Sequence, residues 1–194
     1  MALRAEQTAS TREDIIAAAI QLYRERGIAS TSMKEVALRA DVARATVLNH
    51  FGDRDALAGA ALDRIAESLA IPTQNIFDGA RSTHERVTRL VAALFDFYDR
   101  STPWFELFRG ERESIPALIK GEQRFWEGIQ PLYDKALGPL ARDRLIYSTI
   151  LGLTNPATLG ALRQSGLSLI EASSAIGDLL AELLSRPRPR RIRR

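Results

Sequence analysis

The amino-acid sequence predicts an all-α fold of about nine helices. Apolar residues recur at helical spacing along the chain, and no stretch alternates apolar and polar residues as a half-buried strand does. Glycine, proline and capping side chains stand where these apolar stripes begin and end. With 194 residues, of which 45% are hydrophobic, the chain is long enough to bury a substantial core.

The first two helices follow from their apolar spacing and their end signals. Residues 11–26 carry one apolar stripe, which Ser10 or Thr11 opens as the cap and Gly27 closes as the C-terminal stop. The next segment, SMKE, has the spacing of a capping box, in which Ser32 and the glutamate three residues later each accept a hydrogen bond from the other's backbone N–H. A helix of barely two turns is expected to follow Ser32.

Tight turns are predicted on both sides of the third helix. Asp41 tolerates a left-handed backbone better than most residues with a side chain, so the third helix, over residues 43–51, should leave at a sharp angle. Gly52 ends that helix. Asp53 then caps a fourth helix, whose apolar face runs to about Pro72.

Five further helices are predicted beyond the loop that follows Pro72. They span residues 83–99, 103–109, 115–136, 141–164 and 168–185. Pro103 and Pro116 suit the first turn of a helix, where proline loses no hydrogen bond. Pro131 and Pro156 lie inside predicted helices, which they should kink or split.

Charge is unevenly distributed along the chain. The net charge is +3, but six of the 27 basic residues are arginines within residues 186–194, and the other 21 are outnumbered by 24 acidic residues. This Arg-rich tail is a candidate for contacts with DNA phosphates or a narrow minor groove; the alternative is a disordered end that aids solubility.

The absence of cysteine excludes disulfides and thiolate chemistry. No secretory or membrane-spanning pattern occurs, so a cytoplasmic protein is expected.

The segment 31–54 has the pattern of a helix-turn-helix, with two short helices, a tight turn between them and an amphipathic second helix. In such a motif the second helix enters the major groove of DNA, where Arg44 can pair with guanine and Asn49 with adenine. Hydroxyl groups and helix starts suit phosphate. The predicted DNA-binding residues are Ser32, Lys34, Arg44, Ala45, Thr46, Asn49, His50 and Arg54. The alternative is a helical hairpin with a solvated face.

The string TSMKEVALRADVARATVLNHFGDRDAL resembles the signature of the tetracycline-repressor (TetR) family. In that family a helix that starts with Thr or Ser leads to an Ala-Gly-Val turn, a Tyr-x-His-Phe recognition helix and a Lys that opens the next helix. The register is continuous from Thr11 to Leu57. Four residues depart from the pattern: Asp41 stands for the turn glycine, Ala43 for the capping serine, Leu48 for a phosphate-binding tyrosine and Arg54 for the lysine.

The resemblance implies a domain order and a function. Residues 1–10 would form a flexible arm, 11–56 the helix-turn-helix domain, 57–185 a helical effector-binding and dimerisation domain, and 186–194 the Arg-rich tail. The expected protein is a homodimeric repressor that binds an inverted-repeat operator in double-stranded DNA and releases it when a small molecule binds. The alternative is a helical ligand-binding or adaptor protein with a degenerate DNA-binding head.

Nine of the thirteen aromatic residues fall between residues 95 and 133. Such a stripe is commonly ordinary core. The resemblance, however, implies an effector cavity in this region, and aromatic walls suit an apolar or aromatic ligand. The candidate lining residues are Phe95, Tyr98, Trp104, Phe108, Arg109, Gln123 and Trp126.

The last two predicted helices carry apolar stripes and small residues that permit close helix approach. In the family these helices form a four-helix bundle with the same helices of a second subunit; the alternative is packing within one chain. The candidate interface residues are Ile146, Ile150, Leu153, Ala157, Ile176, Leu180 and Leu183.

No catalytic or metal-binding pattern is apparent in the sequence. His50 and His84 are far apart, and neither a zinc-protease motif nor a phosphate loop occurs. Asp96 and Asp99 share a helix face, where we expect them to be solvated or salt-bridged. The prediction is therefore a protein without enzyme activity, metal or cofactor.

Overall fold

The computed structural model describes residues 2–185 of the chain. Within that range it contains nine α-helices and no β-strand, which confirms the predicted all-α fold. The helices are α1 (Ala2–Arg26), α2 (Met33–Arg39), α3 (Arg44–Phe51), α4 (Arg54–Ser68), α5 (Thr83–Phe108), α6 (Pro116–Leu137), α7 (Arg144–Leu153), α8 (Pro156–Gln164) and α9 (Leu169–Ser185). In this part of the chain no helix has the length and apolar character needed to cross a membrane. The Arg-rich tail, with its predicted DNA contacts, lies outside the described residues.

Helix α1 begins earlier than predicted. Its backbone is helical from Ala2 onward, whereas the sequence analysis predicts a helix over residues 11–26 preceded by an arm. Thr11 does not cap the helix, because its hydroxyl donates to the Gln7 carbonyl one turn back, at 2.9 Å. The segment ALRAEQTAS contains neither Gly nor Pro and is rich in helix formers, which allows the helix to extend past Ser10.

Left-handed backbone occurs at the three predicted turn positions. Gly27 has a φ of 85° and follows the last residue of α1, and Gly52 has a φ of 74° and follows α3. Asp41, between α2 and α3, has a φ of 54°, although it carries a side chain. These residues set the short breaks that separate the first four helices.

The predicted caps of α2 and α4 are present. Ser32 and Glu35 form the reciprocal capping box of α2. The Asp53 carboxylate accepts a hydrogen bond from the Ala56 N–H at 2.8 Å and so caps α4. Ala43 precedes α3 without a side-chain cap, as the sequence indicates.

The prolines act differently from one another. Pro156 splits the predicted helix 141–164, since Asn155 caps α8 and Pro156 is its first residue. The expectation that Pro103 opens a helix is wrong, because α5 runs through it without a break. Residues 97, 101, 104 and 108 are all buried, so one buried stripe, apolar except for Ser101, continues across this proline and its packing maintains the helix. Pro131 likewise lies inside the continuous α6.

The described residues form two compact units. The N-terminal unit holds the residues up to Ile71 together with Ser101–Trp126, and the C-terminal unit holds Pro72–Arg100 together with the residues from Glu127 onward. The predicted domain boundary at residue 57 falls inside the N-terminal unit. That unit combines the helix-turn-helix with α4 and with the segment 101–126, an arrangement that no local sequence signal indicates.

In the N-terminal unit, α1 packs against α2 and α4, and α2 packs against α3. The guanidinium of Arg24 lies 4.6 Å from the centroid of the Trp104 ring, which adds a cation–π contact between α1 and the segment 101–126. Apolar residues from all four helices and from that segment form one core, which includes Ile15, Ala19, Leu22, Tyr23, Val36, Val47, Leu57, Ala61, Trp104 and Phe108.

The C-terminal unit has an aliphatic core that contains a hydrogen-bonded pair of buried hydroxyl groups. Thr154 donates to the Ile150 carbonyl at 2.8 Å, so the Tyr133 hydroxyl, 2.8 Å from Thr154 Oγ1, donates to that oxygen. The Tyr98 side chain is buried in the same core. The surrounding core residues include Val87, Leu90, Leu94, Ile129, Leu132, Leu159 and Ala172.

The two aspartates of the DFYD segment, also in the C-terminal unit, are salt-bridged. Asp96 pairs with Arg100 at 3.0 Å, one helical turn away, and Asp99 pairs with Arg163 of α8 at 3.7 Å. Both pairs are partly exposed, so they contribute little to stability. Their carboxylates are engaged as the sequence analysis expects.

Candidate nucleic-acid interface

The turn between α2 and α3 is closed by backbone hydrogen bonds. The Asp41 N–H donates to the Leu38 carbonyl at 3.3 Å, and the Val42 N–H donates to the Ala37 carbonyl at 3.0 Å. Beneath the turn, Ala37 of α2 and Val47 of α3 are buried. These contacts fix the angle at which α3 leaves α2, as a helix-turn-helix requires.

Helix α3 has one buried face and one exposed face. Val47 is 0% exposed and Phe51 is 8% exposed, and these two side chains attach the helix to the core of the N-terminal unit. Arg12 of α1 lies over the Phe51 ring, 5.1 Å from its centroid. Of the residues predicted to read DNA, three are exposed, Arg44, Ala45 and Asn49, and two are half-buried, Thr46 and His50.

Two cations of the motif have neither a carboxylate nor any other hydrogen-bond partner within residues 2–185. Lys34 on α2 and Arg44 on α3 are exposed, and they form no ion pair or hydrogen bond within residues 2–185. Other cations nearby are neutralised, since Arg26 and Arg39 pair with glutamates at 2.9 Å and 2.8 Å. Lys34 and Arg44 therefore remain available for phosphates or base edges without first breaking a contact.

Two predicted phosphate contacts are engaged within the protein. Both donors of Ser32 are directed at Glu35 Oε2, the hydroxyl at 2.7 Å and the N–H at 2.9 Å. The capping box thus uses the groups that were predicted to meet phosphate, and the free N–H groups at the start of α2 belong to Met33 and Lys34. Arg54 donates through Nη1 to the Ala29 carbonyl at 3.2 Å, and its exposed guanidinium has further donors for phosphate.

Two carboxylates that the sequence analysis missed join the segment 101–126 to the helix-turn-helix. Glu111 accepts hydrogen bonds from the backbone N–H groups of Ile28 at 2.8 Å and Ala29 at 2.9 Å. Asp55, in the first turn of α4, accepts from the Ala117 N–H at 2.7 Å. More than 60 residues of sequence separate the partners in both cases, so no local motif could have indicated them.

Comparison with known proteins identifies the motif. The model of the family described as bacterial regulatory proteins, tetR family, matches residues 15–61, the region of α1 to α4. The helix-turn-helix of this chain is therefore of the TetR-family type. An HTH-type transcriptional repressor of Mycobacterium tuberculosis is 38% identical to this chain over 136 residues, 66% of the chain and 65% of the relative. The chain thus spans slightly less than two thirds of that relative's length.

Two further comparisons extend over most of the chain. The HTH-type transcriptional regulator BetI of Burkholderia thailandensis is 26% identical over 186 residues, which are 91% of this chain and 94% of that protein. The solved structure of the transcriptional regulator FadR from Bacillus subtilis, in complex with stearoyl-CoA, has a TM-score of 0.60 at 17% identity. It covers 87% of this chain and 97% of its own. At that identity the likeness shows the fold alone.

The residues predicted to line an effector cavity lie in different environments. Phe95 and Tyr98 are buried in the C-terminal unit, and the other five belong to the N-terminal unit. Trp104 and Phe108 stack with ring centroids 5.7 Å apart inside the hydrophobic core, so they are core residues. The remaining three are exposed: Arg109, Gln123 and Trp126. The aromatic stripe therefore supplies two separate cores.

A groove of about 470 Å³ lies within the N-terminal unit, lined by residues of α1, α4 and α6. Its lining is charged rather than aromatic, and its arginines already have partners. Arg124 pairs with Asp63, and Arg64 pairs with Glu67 at 3.1 Å. This groove differs in chemistry from the apolar cavity that the sequence analysis expects.

Three of the predicted dimer residues are core residues of their own protomer, Ile150, Ile176 and Leu180, each less than 9% exposed. Side chains that are buried within one chain have little surface to offer a second chain. The others retain accessible surface: Ile146 and Leu153 are half-buried, and Ala157 and Leu183 are exposed.

Helix α9 has a second apolar stripe, which is exposed. Ala175, Leu179 and Leu183 follow one another at intervals of four residues and share one face of the helix. Leu179 is 53% exposed and Leu183 is 42% exposed. On α8, which packs against α9, Ala157 and Ala161 are exposed small residues with the same spacing. The predicted interface residues of α9 include Leu183 of this exposed stripe together with Ile176 and Leu180 of the buried one.

Proposed function

We propose that this TetR-family protein is a homodimeric transcriptional repressor that binds an inverted-repeat operator and releases it when a small apolar or aromatic molecule binds. The observation that carries the DNA-binding part is the exposed face of α3. There, Arg44 and Asn49 have no hydrogen-bond partner within residues 2–185, on a helix that Val47 and Phe51 hold in place. Exposed side chains that have no partner within the protein, on a helix that is fixed by buried residues, are suited to read base edges.

Each unengaged group has a chemical counterpart on DNA. The planar guanidinium of Arg44 can donate two parallel hydrogen bonds to guanine, and the Asn49 amide can both donate to and accept from adenine. The methyl group of Ala45 can contact a thymine methyl group. Lys34 and Arg54 lie at the starts of α2 and α4, where they can hold phosphates on either side of the groove.

The test is operator binding by Arg44→Ala, with Arg39→Ala as the charge-matched control. Arg39 is exposed but paired with Glu25 and does not lie on α3. Arg44→Ala should weaken operator binding by about 1–3 kcal/mol and relax the preference at one base pair. Arg39→Ala should weaken binding to all sequences slightly and equally. If the two variants lose the same affinity on the operator and on a random duplex, Arg44 does not read a base.

The exposed apolar stripe of α9 supports the homodimer. A second copy would cover Leu179 and Leu183 and would pair α8 and α9 with the same helices across a two-fold axis. Leu179→Asp should shift the protein from dimer to monomer in analytical ultracentrifugation. Leu38→Asp is the control, because Leu38 is 82% exposed on α2 and lies outside this stripe. A dimer that survives Leu179→Asp as well as it survives Leu38→Asp would contradict the proposed interface.

The effector is proposed to bind in the C-terminal unit, where Phe95 and the hydroxyl groups of Tyr133 and Thr154 combine apolar side chains with polar groups. Such a ligand releases DNA only if it binds more tightly to a conformation in which the DNA-binding domains of the two protomers no longer match the spacing of the operator half-sites. Because FadR from Bacillus subtilis has been solved with stearoyl-CoA, that molecule is the first probe. Release of operator DNA by stearoyl-CoA but not by coenzyme A would support an acyl effector, and no binding of either would exclude this class.

A further inference from the structure

The turn that follows α1 is held by a carboxylate from a distant part of the N-terminal unit. Glu111 lies between α5 and α6, and its two carboxylate oxygens accept hydrogen bonds from two successive backbone N–H groups, those of Ile28 and Ala29. Hydrogen bonds that involve a charged acceptor are about twice as strong as neutral ones. Because both hydrogen bonds end on the same carboxylate, they fix the direction of the turn as well as its position.

The fit between this carboxylate and the turn leaves no room for a side chain at Gly27. The φ of Gly27 is 85°, and a Cβ atom at this position would collide with Oε1 of Glu111. The Gly27 N–H donates to the Tyr23 carbonyl at 2.8 Å, so the same residue also ends α1. Glu111 therefore contacts the turn at the point where the chain changes direction toward the helix-turn-helix.

The same turn is bonded to two parts of the DNA-binding surface. The Ala29 carbonyl accepts from Nη1 of Arg54 at 3.2 Å, and the buried hydroxyl of Thr31 donates to the Gly27 carbonyl at 2.8 Å. Thr31 immediately precedes Ser32, the cap of α2. A shift of the turn would therefore move both the start of α2 and the guanidinium of Arg54.

We propose that Glu111 is a positioning residue for operator recognition, which holds the turn so that α2, α3 and Arg54 meet DNA in a common register. The proposal rests on the DNA-binding function proposed above. It predicts that removing the negative charge of Glu111 weakens operator binding, although charge alone would predict stronger binding. Glu111 carries negative charge, so its long-range field opposes DNA binding, and removal of that charge alone would strengthen the binding. A positioning role predicts the opposite for the operator.

The experiment compares Glu111→Gln with Glu113→Gln by titration of operator and random duplexes. Glu113 lies in the same connection between α5 and α6, is exposed, and forms no hydrogen bond or ion pair within the described residues. Both variants remove one negative charge. Only Glu111→Gln places an amide NH2 against a backbone N–H that needs an acceptor. Its operator affinity should fall by about tenfold, as expected for the loss of one charge-assisted hydrogen bond. Its affinity for the random duplex should stay equal or rise.

Glu111→Asp carries the test if Glu111→Gln does not fold. It keeps the charge but is one methylene shorter and cannot reach both N–H groups, so it should lose part of the preference for the operator at unchanged net charge. A role confined to stability would lower the unfolding midpoint and leave the ratio of operator to random affinity unchanged. That result, or equal behaviour of Glu111→Gln and Glu113→Gln, overturns the proposal. If the wild-type protein itself does not prefer the operator, the proposed function fails first.

Discussion

Replacing Tyr133 by phenylalanine should destabilise the C-terminal unit, although the ring that fills the core is retained. Tyr133 is 1% exposed and Thr154 is 0% exposed, so water cannot replace the hydrogen bonds of the missing hydroxyl. The substitution removes the hydrogen bond between Tyr133 and Thr154 Oγ1. It leaves this buried oxygen of Thr154 without its donor.

The size of the effect follows from these contacts. The hydrogen bond from Tyr133 to Thr154 contributes about 1 kcal/mol, and the unpaired acceptor left on the buried Thr154 adds up to about 1 kcal/mol, so the expected loss is about 1–2 kcal/mol. No cavity term is added, because phenylalanine occupies the same volume apart from the hydroxyl. For a chain of this length the midpoint of thermal unfolding should fall by roughly 2–8 °C.

Urea unfolding followed by far-UV circular dichroism measures the loss. Tyr147→Phe is the matched control: its ring lies 6.0 Å from that of Tyr133, but it is only half-buried and its hydroxyl has no hydrogen-bond partner within residues 2–185. It should change the free energy of unfolding by less than about 0.5 kcal/mol. Equal effects of the two substitutions would refute the reasoning, since they would show that the buried hydrogen bond between Tyr133 and Thr154 contributes nothing to stability.

Three further substitutions test local features. Ala43→Ser should stabilise the N-terminal unit by about 1 kcal/mol, because it supplies the missing cap of α3; an unchanged urea midpoint would contradict this. Gly27→Ala should destabilise more than Gly52→Ala, since both glycines have a positive φ but only the first would meet Glu111; equal losses would show that the fit at Gly27 is loose. Burial raises the pKa of Tyr23 from 10.0 to about 12, so the unfolded chain releases this proton first and stability falls as pH rises through that window. Tyr23→Phe should make the loss of stability with rising pH less steep. An unchanged dependence of stability on alkaline pH would show that Tyr23 does not cause this loss.

The sequence predicts those features that depend on neighbours a few residues apart. The capping box at Ser32, the left-handed Asp41 and the cap at Asp53 lie within one or two turns of the groups that they contact. The family signature falls on the same region, because the exposed face of α3 and its buried anchors share one short helix. This is why the fold class and the helix-turn-helix follow from sequence alone.

The remaining features depend on contacts between distant residues, which periodicity does not reveal. The stripe through Pro103 is maintained by packing of Trp104 and Phe108 in the core of the N-terminal unit, so a proline that locally favours a helix start is overridden. The choice between the two apolar stripes of α9 likewise depends on which one the rest of the chain covers. Glu111 looks like any surface glutamate until its partners, 82 and 83 residues away, are known.

The central claim, that α3 reads DNA, is tested most directly by binding of the purified full-length protein to the DNA that flanks its own coding region. The titration is repeated over a range of salt concentrations and with a random duplex of equal length. The account predicts selective binding of two protein copies to an inverted repeat, with a preference that persists as salt weakens both complexes. Equal, weak binding to both duplexes that disappears when residues 186–194 are removed would contradict it.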